Sequence, residues 1–222
     1  PLLGDTTVKC WGENGQGSLG TGNTTVSTTP VAVSGLTGVS YLTGRYETFC
    51  AVLSTGDTKC WGRNSDTQIN MNGIAGKYTI AIQKTAITTA TQIASGAETT
   101  CALISGGTVQ CWGDWATNQQ TGNGSYVNVT APFILPGITT ATQIAASSAT
   151  NCVLLGSGSI QCLGANYYGQ VGDGTTSNHS APTITLGIST ATQISGGQDH
   201  FCARLSDATV KCWGFNDQYQ LG

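Results

Sequence analysis

Cysteine is the residue type in this sequence whose spacing points most directly to chemistry. Nine cysteines occur in 222 residues, and eight of them form four pairs whose members lie ten residues apart. The pairs are Cys50 with Cys60, Cys101 with Cys111, Cys152 with Cys162, and Cys202 with Cys212. Paired thiols can form disulfides or hold a metal ion, but the sequence has no C-x-x-C motif and no Cys/His cluster. It therefore predicts four candidate disulfides and no metal site.

Each cysteine pair belongs to a hairpin whose register follows from the spacing. The clearest copy is CALISGGTVQCWG, from Cys101 to Gly113. Symmetric pairing of the cysteines leaves a three-residue loop, which favours a left-handed residue, usually glycine, at its last position. Gly56, Gly107 and Gly158 stand there, and Ala208 in the fourth copy predicts a loop that is either slightly strained or built differently. The cysteines then face each other where α-carbons approach to about 4.5 Å, within reach of a disulfide.

Reduced cysteines that pack as small apolar residues are the alternative to disulfides. Four copies of one geometry favour disulfides, each of which would stabilise the fold by roughly 2 to 3 kcal/mol. Disulfides persist in oxidising compartments, so an extracellular or cell-surface location is predicted. Cys10 is unpaired in this sequence, because alignment of the first and last copies places its partner immediately before Pro1. We therefore expect the sequence to be a window of a longer array.

Composition restricts the class of protein further. Only 9% of the residues are charged, the formal net charge is −3, and there are 31 glycines. These features favour an all-β, turn-rich fold. The eight lysines and arginines are scattered singly, which argues against a nucleic-acid partner, because phosphate binding needs a basic stripe. No apolar run approaches the roughly eighteen residues that would span a bilayer.

The hairpin recurs with a period of 50 or 51 residues, which is typical of propeller or solenoid arrays. Each period adds a first strand, such as Thr91–Gly96, and an outer strand led by proline, such as Pro132–Ile138. The second period lacks this proline, and we expect an altered outer strand there, over Thr79–Gln83. Four strands per period make up a β-propeller blade. The predicted repeats of this single region run over residues 1–38, 39–89, 90–140, 141–190 and 191–222.

Three stretches share a more specific pattern. They are GGQDHFCARLSDATVKCWGFNDQYQLG from Gly196, VKCWGENGQGSLGTGNTT from Val8, and CLGANYYGQVGDGTT from Cys162, in which Leu163 replaces tryptophan. The pattern resembles the regulator of chromosome condensation repeat family, and the resemblance covers essentially the whole chain. It implies a β-propeller, usually of seven blades. The four full repeats and the partial ones would then form part of a larger ring.

Tryptophan recurs at one position of the repeat, as Trp11, Trp61, Trp112 and Trp213. Because an indole buries a large area, this repetition predicts packing between neighbouring blades rather than a ligand cage. The glycines beside the tryptophans would let the blades approach closely.

No residue constellation indicates catalysis. His200 stands where other repeats have threonine, so structural hydrogen bonding is predicted for it, and His179 is expected to be exposed in a Ser/Asn-rich loop. Acids such as Glu47, Glu98 and Asp173 occur singly, without the carboxylate pair of a glycosidase, a calcium loop or a serine elbow. The sequence therefore predicts neither an enzyme nor a cofactor.

The loops that follow the tryptophan position differ most between copies and carry large side chains. If the blades are symmetric, these loops emerge on one rim and form an aromatic surface that could bind a protein. Its candidate residues are Arg63, Trp115, Tyr126, Tyr167, Tyr168, Phe215 and Tyr219. N-x-Ser/Thr motifs occur at Asn23, Asn123, Asn128 and Asn178, so glycosylation is also possible.

These observations favour a non-enzymatic extracellular or cell-surface propeller that serves as a protein-binding or adhesion module through its variable loops. The alternative is a structural subunit of a coat or filament that associates with copies of itself. A third possibility is a secreted enzyme inhibitor, by analogy with one branch of the family that the sequence resembles. A nuclear exchange-factor role is disfavoured by the paired cysteines and the absence of a basic face. A glycan ligand remains open.

Overall fold

The computed structural model describes residues 6–65, 67–69, 75–84, 86–113 and 129–222, and the regular structure within them consists of β-strands. Their bounds are β1 Lys9–Gly12, β2 Ser27–Ala32, β3 Val39–Arg45, β4 Thr48–Leu53, β5 Thr58–Asn64, β6 Gly76–Gln83, β7 Ala90–Ser95, β8 Thr99–Ile104, β9 Val109–Gly113, β10 Val129–Ile134, β11 Ala141–Ala146, β12 Thr150–Leu155, β13 Ile160–Gly164, β14 His179–Ile184, β15 Ala191–Gly196, β16 His200–Leu205 and β17 Val210–Gly214.

The strands pair in chain order into five antiparallel sheets. Three sheets have four strands each, β3 to β6, β7 to β10 and β11 to β14, while β1 pairs with β2 and β15 to β17 form a three-stranded sheet. The first strands of successive sheets contact one another, β3 with β7, β7 with β11, and β11 with β15. This is the arrangement of propeller blades around their innermost strands. The predicted all-β propeller architecture is confirmed, and the sheets are called blades one to five below.

The hairpin in the middle of each blade carries the cysteines. Cys50 faces Cys60 across β4 and β5, and the same facing pairs occur in the three following blades. Disulfides join all four pairs, with α-carbons 4.0–4.1 Å apart. Cys10 is half-buried and has no disulfide partner in the described part of the chain.

The hydrophobic core is divided into four clusters, and each cluster lies between two successive blades. The cluster between blades two and three, for example, joins Cys50, Cys60 and Ile69 of one blade to Ile93 and Trp112 of the next. Each of the other three clusters likewise combines residues of two successive blades. A blade on its own would leave such a face exposed to water, so each blade depends on its neighbour for burial.

Three of the four repeat tryptophans join neighbouring blades, as predicted, whereas Trp11 is 52% exposed. Trp61 and Trp112 are fully buried. Their indole N–H groups donate to the carbonyl oxygens of Ser18 and Gln68 in the preceding blade, both at 2.9 Å. Trp213 donates in the same way to the carbonyl of Gln170 at 2.8 Å.

The glycines that permit this close approach are not the ones that were predicted. A Cβ on Gly62, next to Trp61, would collide with the carbonyl oxygen of Glu47 in the same blade, so this glycine allows close contact within a blade. Contact between blades depends instead on the glycine that ends the following loop. A Cβ on Gly172 would lie 2.9 Å from Cδ1 of Trp213.

The outer strands begin earlier than their prolines indicate. β2, β10 and β14 start three residues before the proline, and the register of each shifts across it. Because proline has no N–H to donate, the ladder is interrupted there without ending the strand. In the second blade the altered outer strand is β6, which begins at Gly76, three residues before the predicted start.

Each innermost strand contains a bulge that explains a repeated hydroxyl residue. The register of β7 shifts around Thr91, whose Oγ1 donates to the carbonyl of Leu103 in β8 at 3.3 Å. The equivalent hydroxyls of Ser40, Thr142 and Thr192 donate to Val52, Leu154 and Arg204. A short polar side chain is therefore needed at this place in every blade.

Backbone hydrogen bonds define two faces of the array. On the first, which we call the loop face, the start of each long loop lies against the first turn of its own blade: Arg63 N–H donates to the Glu47 carbonyl, and Phe215 N–H to that of Asp199. On the second, the hairpin face, the disulfide hairpin loops of blades two to four each accept a bond from the start of the next blade, as Gly56 does from Ala90. The variable loops of blades two, four and five therefore begin on the same face, the loop face.

We expect substitutions at the last position of the hairpin loop to show how much a left-handed backbone conformation costs in stability. Gly158 has a φ of +83° and Ala208 a φ of +67° in loops with the same hydrogen bond to the preceding leucine. Ala208→Gly should stabilise the fold by about 1 kcal/mol, because a Cβ is unfavourable in this region. Gly158→Ala should destabilise it by about 2 kcal/mol or more, since the new Cβ would also lie 2.7 Å from the carbonyl oxygen of Ser189.

The measurement is the free energy of unfolding from urea titrations of the two variants and the wild type. Effects of opposite sign support a left-handed requirement at this position. Equal, small effects of both substitutions would contradict it.

Candidate functional site

The long loops of blades one, two, four and five are each shaped by one asparagine. The side-chain oxygen of Asn166 accepts a hydrogen bond from Val171 N–H at 2.8 Å, and its amide nitrogen donates to the carbonyl of Thr175. The repeat pattern W-G-x-N contains this asparagine, but its role was not predicted. Asn14, Asn64 and Asn216 likewise accept bonds from Leu19, Ile69 and Leu221 at 2.7–3.0 Å.

The candidate binding residues in blades four and five lie on two successive loops of the loop face. Tyr167 and Tyr168 are 59% and 52% exposed, and Tyr219 is 86% exposed. Tyr168 packs edge to face against the half-buried Phe215, with ring centroids 4.6 Å apart, so that loops of two blades meet there. The hydroxyl of Tyr167 accepts a hydrogen bond from the amide of Asn178 at 3.0 Å. We call Tyr167, Tyr168, Phe215 and Tyr219 the aromatic area.

The other candidate residues are not brought into this area by the described structure. Arg63 lies in β5 of blade two, half-buried, and its Nε–H donates to the hydroxyl of Ser65 at 2.6 Å. Trp115 and Tyr126 lie outside the described residues.

A charged network lies beneath the loop of blade four. His179 was predicted to be exposed, but it is half-buried at the start of β14, and its Nε2 lies 2.8 Å from Oδ2 of Asp173. Burial raises the pKa of the Asp173 carboxyl, but hydrogen bonds from Thr175, together with His179 and Asn166, outweigh it and leave this pKa below its usual value. The network holds the loop in shape.

The threonines equivalent to His200 have the predicted structural role. The hydroxyl of Thr48 donates to the carbonyl of Arg63 at 2.8 Å, and that of Thr150 to Ala165 at 2.6 Å. Each bond ties the second strand of the blade to the start of its long loop. This position therefore supports the loops and gives no sign of catalysis.

Two of the four possible glycosylation sites lie in the described residues. Asn23 is exposed, and its side-chain oxygen accepts bonds from Thr21 and Thr25. The amide nitrogen of Asn178 is engaged with Tyr167. Asn123 and Asn128 lie outside the described residues, and glycosylation stays a prediction at all four sites.

Other kinds of site are absent from the part of the chain that the structure describes. Within it, no group of three or more histidine, cysteine and acidic residues could hold a metal ion. No helix in the same residues is long and apolar enough to cross a membrane.

Comparison with known proteins agrees with the blade structure. The sequence matches the family described as "Regulator of chromosome condensation (RCC1) repeat" over residues 90–120, 157–204 and 191–220. Prp20p of Saccharomyces cerevisiae has a similar solved structure, with 19% identity and a TM-score of 0.83 over 100% of this chain. The chain contains RCC1-like repeats.

Two further solved structures resemble this RCC1-like chain. Human WBSCR16 is 20% identical with a TM-score of 0.80 over 92% of the chain, and the ectodomain of the Physcomitrella patens receptor kinase CR4 is 20% identical with a TM-score of 0.55 over 96%. The chain spans about half of each of the three, namely 56% of Prp20p, 54% of WBSCR16 and 48% of the ectodomain. At these identities the likeness shows the fold. No curated protein matches the chain significantly.

One blade of this RCC1-like array carries a charge where the others do not. Lys84 is 3% exposed, at the position occupied by Val33, Leu135 and Thr185 in the other blades, and its Nζ lies 5.7 Å from the centre of the Trp112 ring. No hydrogen-bond partner for Nζ is present among the described residues. Burial therefore lowers the pKa of Lys84 to about 7. The sequence signal was a lysine in an otherwise uncharged repeat position.

We expect Lys84 to make stability depend on pH. An unfolded lysine has a pKa of about 10.4, so between pH 7 and 10 the unfolded chain holds a proton that the folded chain has released. Wild-type stability should therefore rise with pH across this window. Lys84→Leu should stabilise the protein by about 2 to 4 kcal/mol at pH 6, with most of the gain lost by pH 10.

Urea denaturation of both proteins at intervals from pH 6 to 10 tests this expectation. Lys211→Leu is the matched control, because Lys211 is exposed and its substitution should leave the pH profile unchanged. Parallel pH profiles for Lys84→Leu and the wild type would contradict a buried, neutral lysine.

Proposed function

We propose that this chain is a non-enzymatic protein-binding module, located outside the cell or at its surface, that contacts its partner through the loop face. The observation that carries the proposal is the aromatic area, where three tyrosines are more than half exposed on loops held by a rigid blade framework. Exposed tyrosines that are already positioned lose little conformational entropy when they bind.

The framework beneath the aromatic area supports this function. The loop of blade four is fixed by Asn166 and by the contact between Asp173 and His179, and the loop of blade five by Asn216. Blades four and five are joined in turn by the bond from Trp213. Variable side chains on a constant framework are the usual arrangement of a binding surface.

Related structures give a precedent for protein partners. One structure of yeast RCC1 (Prp20) is bound to Kap60, and the structure of Prp20p was described together with its binding to Gsp1p and histones. Kap60, Gsp1p and histones are partners of Prp20, and we do not assign them to the present chain. The four disulfides favour an oxidising compartment, hence the extracellular or surface location that we propose.

Substitution on the two faces tests the proposal. A partner would be captured by cross-linking to the purified chain from secreted and surface proteins of the source organism, and its affinity measured with variants. Tyr219→Ala should weaken binding about tenfold or more if this tyrosine is an anchor of the interface. Tyr219 is suited to the test because its exposure means that the substitution should not disturb packing.

Thr55→Ala, in an exposed hairpin loop on the opposite face, is the matched control and should change the affinity less than twofold. If Tyr219→Ala binds the partner as tightly as the wild type does and Thr55→Ala loses affinity, the binding surface is on the hairpin face instead. Turnover of the captured partner by the chain would contradict the non-enzymatic role.

A structural subunit is the second candidate function, and one observation favours it. The outer strands β2, β6, β10 and β14 are edges of their sheets, and each pairs on one side only. Unpaired strand edges can add strands from another chain. Sedimentation velocity over a hundredfold concentration range distinguishes the candidates, since a self-assembling subunit should form large species, and a binding module should remain monomeric.

A further inference from the structure

The inner strands of four blades line an open cavity that the proposed binding surface does not use. It has a volume of about 330 Å³ and is lined by residues of β3, β7, β11 and β15. Thr43, Ser195 and Gln193 line it and carry hydroxyl and amide groups. The volume lies at the small end of the range for ligand sites in proteins.

Arg45 is the one charged residue among those that line the cavity, all of which lie in the described part of the chain. It ends β3 at a position where the other inner strands have Gly96, Ser147 and Gly197. Its Nε is buried and has no hydrogen-bond partner among the described residues, and its guanidinium carbon lies 5.3 Å from the centre of the Tyr46 ring. An unpaired donor of this kind is costly, so a ligand that accepts its hydrogen bond would be stabilised.

The turn that follows Arg45 reaches across the inner surface. The hydroxyl of Tyr46 in blade two lies 3.0 Å from that of Ser148 in blade four, so it bridges over blade three. Ser148 is held in turn by the carbonyl of Gln198 in blade five, which accepts both its N–H and its hydroxyl. This contact fixes the turn beside the cavity.

The same turn has an unusual backbone. Tyr46 and Glu47 have φ angles of +44° and +67°. Two successive non-glycine residues in the left-handed region are unfavourable, and such strain is concentrated at functional sites. The equivalent turns of blades three to five contain no residue with positive φ, so this conformation is particular to the turn that carries Arg45.

We propose that this cavity binds a small organic carboxylate that bears further hydroxyl groups, and that Arg45 pairs with the carboxylate. A guanidinium offers parallel N–H donors that match the two oxygens of a carboxylate. A single positive charge suits a monoanion better than a doubly charged phosphate. The hydroxyl groups of Thr43 and Ser195 suit a hydroxylated ligand, and the volume suits one of monosaccharide size.

Side-chain NMR provides a direct test, with D-glucuronate as the probe and D-glucose as its neutral counterpart. The Nε–H resonance of Arg45 should shift in a saturable way with glucuronate, with a dissociation constant in the millimolar range. Glucose, which has a CH₂OH group in place of the carboxylate, should bind at least tenfold more weakly. Acetate and gluconate complete the series of carboxylates.

Variants separate the site from nonspecific attraction. Arg45→Gln should weaken glucuronate binding at least tenfold, and Arg45→Lys less, because it keeps the charge. Arg204→Gln is the control, since Arg204 is exposed and lies outside the cavity lining. If Arg45→Gln does not fold, the comparison of glucuronate with glucose on the wild type still decides.

Absence of a saturable shift with every carboxylate, or equal shifts with glucose, would overturn the proposal. Equal loss of binding in the Arg204 control would also overturn it. Tyr219→Ala leaves the cavity intact, so protein binding and carboxylate binding can fail independently of each other.

Discussion

The structure depends on the burial of one blade face against the next. Each core cluster is shared by two blades. At three of the four contacts an indole, of Trp61, Trp112 or Trp213, donates its N–H to a carbonyl of the preceding loop, and Leu163 takes this place between blades three and four. The ring removes a large apolar area from water, and the hydrogen bond fixes its orientation. Because a loop carbonyl is the acceptor, packing of the core also fixes part of the preceding loop. Trp11, 52% exposed, lacks such a neighbour among the described residues.

Regular repetition has a functional consequence on the two faces. Disulfides, bulge hydroxyls and hairpin loops recur with little change, so the hairpin face is nearly the same from blade to blade. The described loops of blades one and four share the asparagine that shapes them, Asn14 or Asn166, and the glycine that contacts the next tryptophan, Gly20 or Gly172. Between such fixed points, Tyr168 and Tyr219 can vary without loss of the fold. Side chains can therefore differ at the surface that a partner would contact.

Departures from the repeat are the places with specific chemistry. Lys84 replaces an uncharged residue where two blades meet, and Arg45 replaces a small residue beside the inner cavity. Neither side chain has an acidic partner in the described structure, which is unfavourable for stability. A cost of this kind is retained more readily when a site needs it, as we infer for Arg45. For Lys84 the structure shows a titratable side chain buried between two blades, and we assign no ligand to it.

Repetition allowed the sequence to determine the contacts that are local or lie one period apart. The facing cysteines, the left-handed hairpin residue and the tryptophan joints follow from spacing, because each blade repeats them in the same register. Tertiary structure decided the contacts that depend on how blades are inclined to one another: the bridge from Tyr46 to Ser148, the cavity beside Arg45, and the burial of Lys84 against Trp112. Even the partner of His179 depended on the path of its loop. No periodic pattern encodes these angles and paths, because they result from the packing of whole blades.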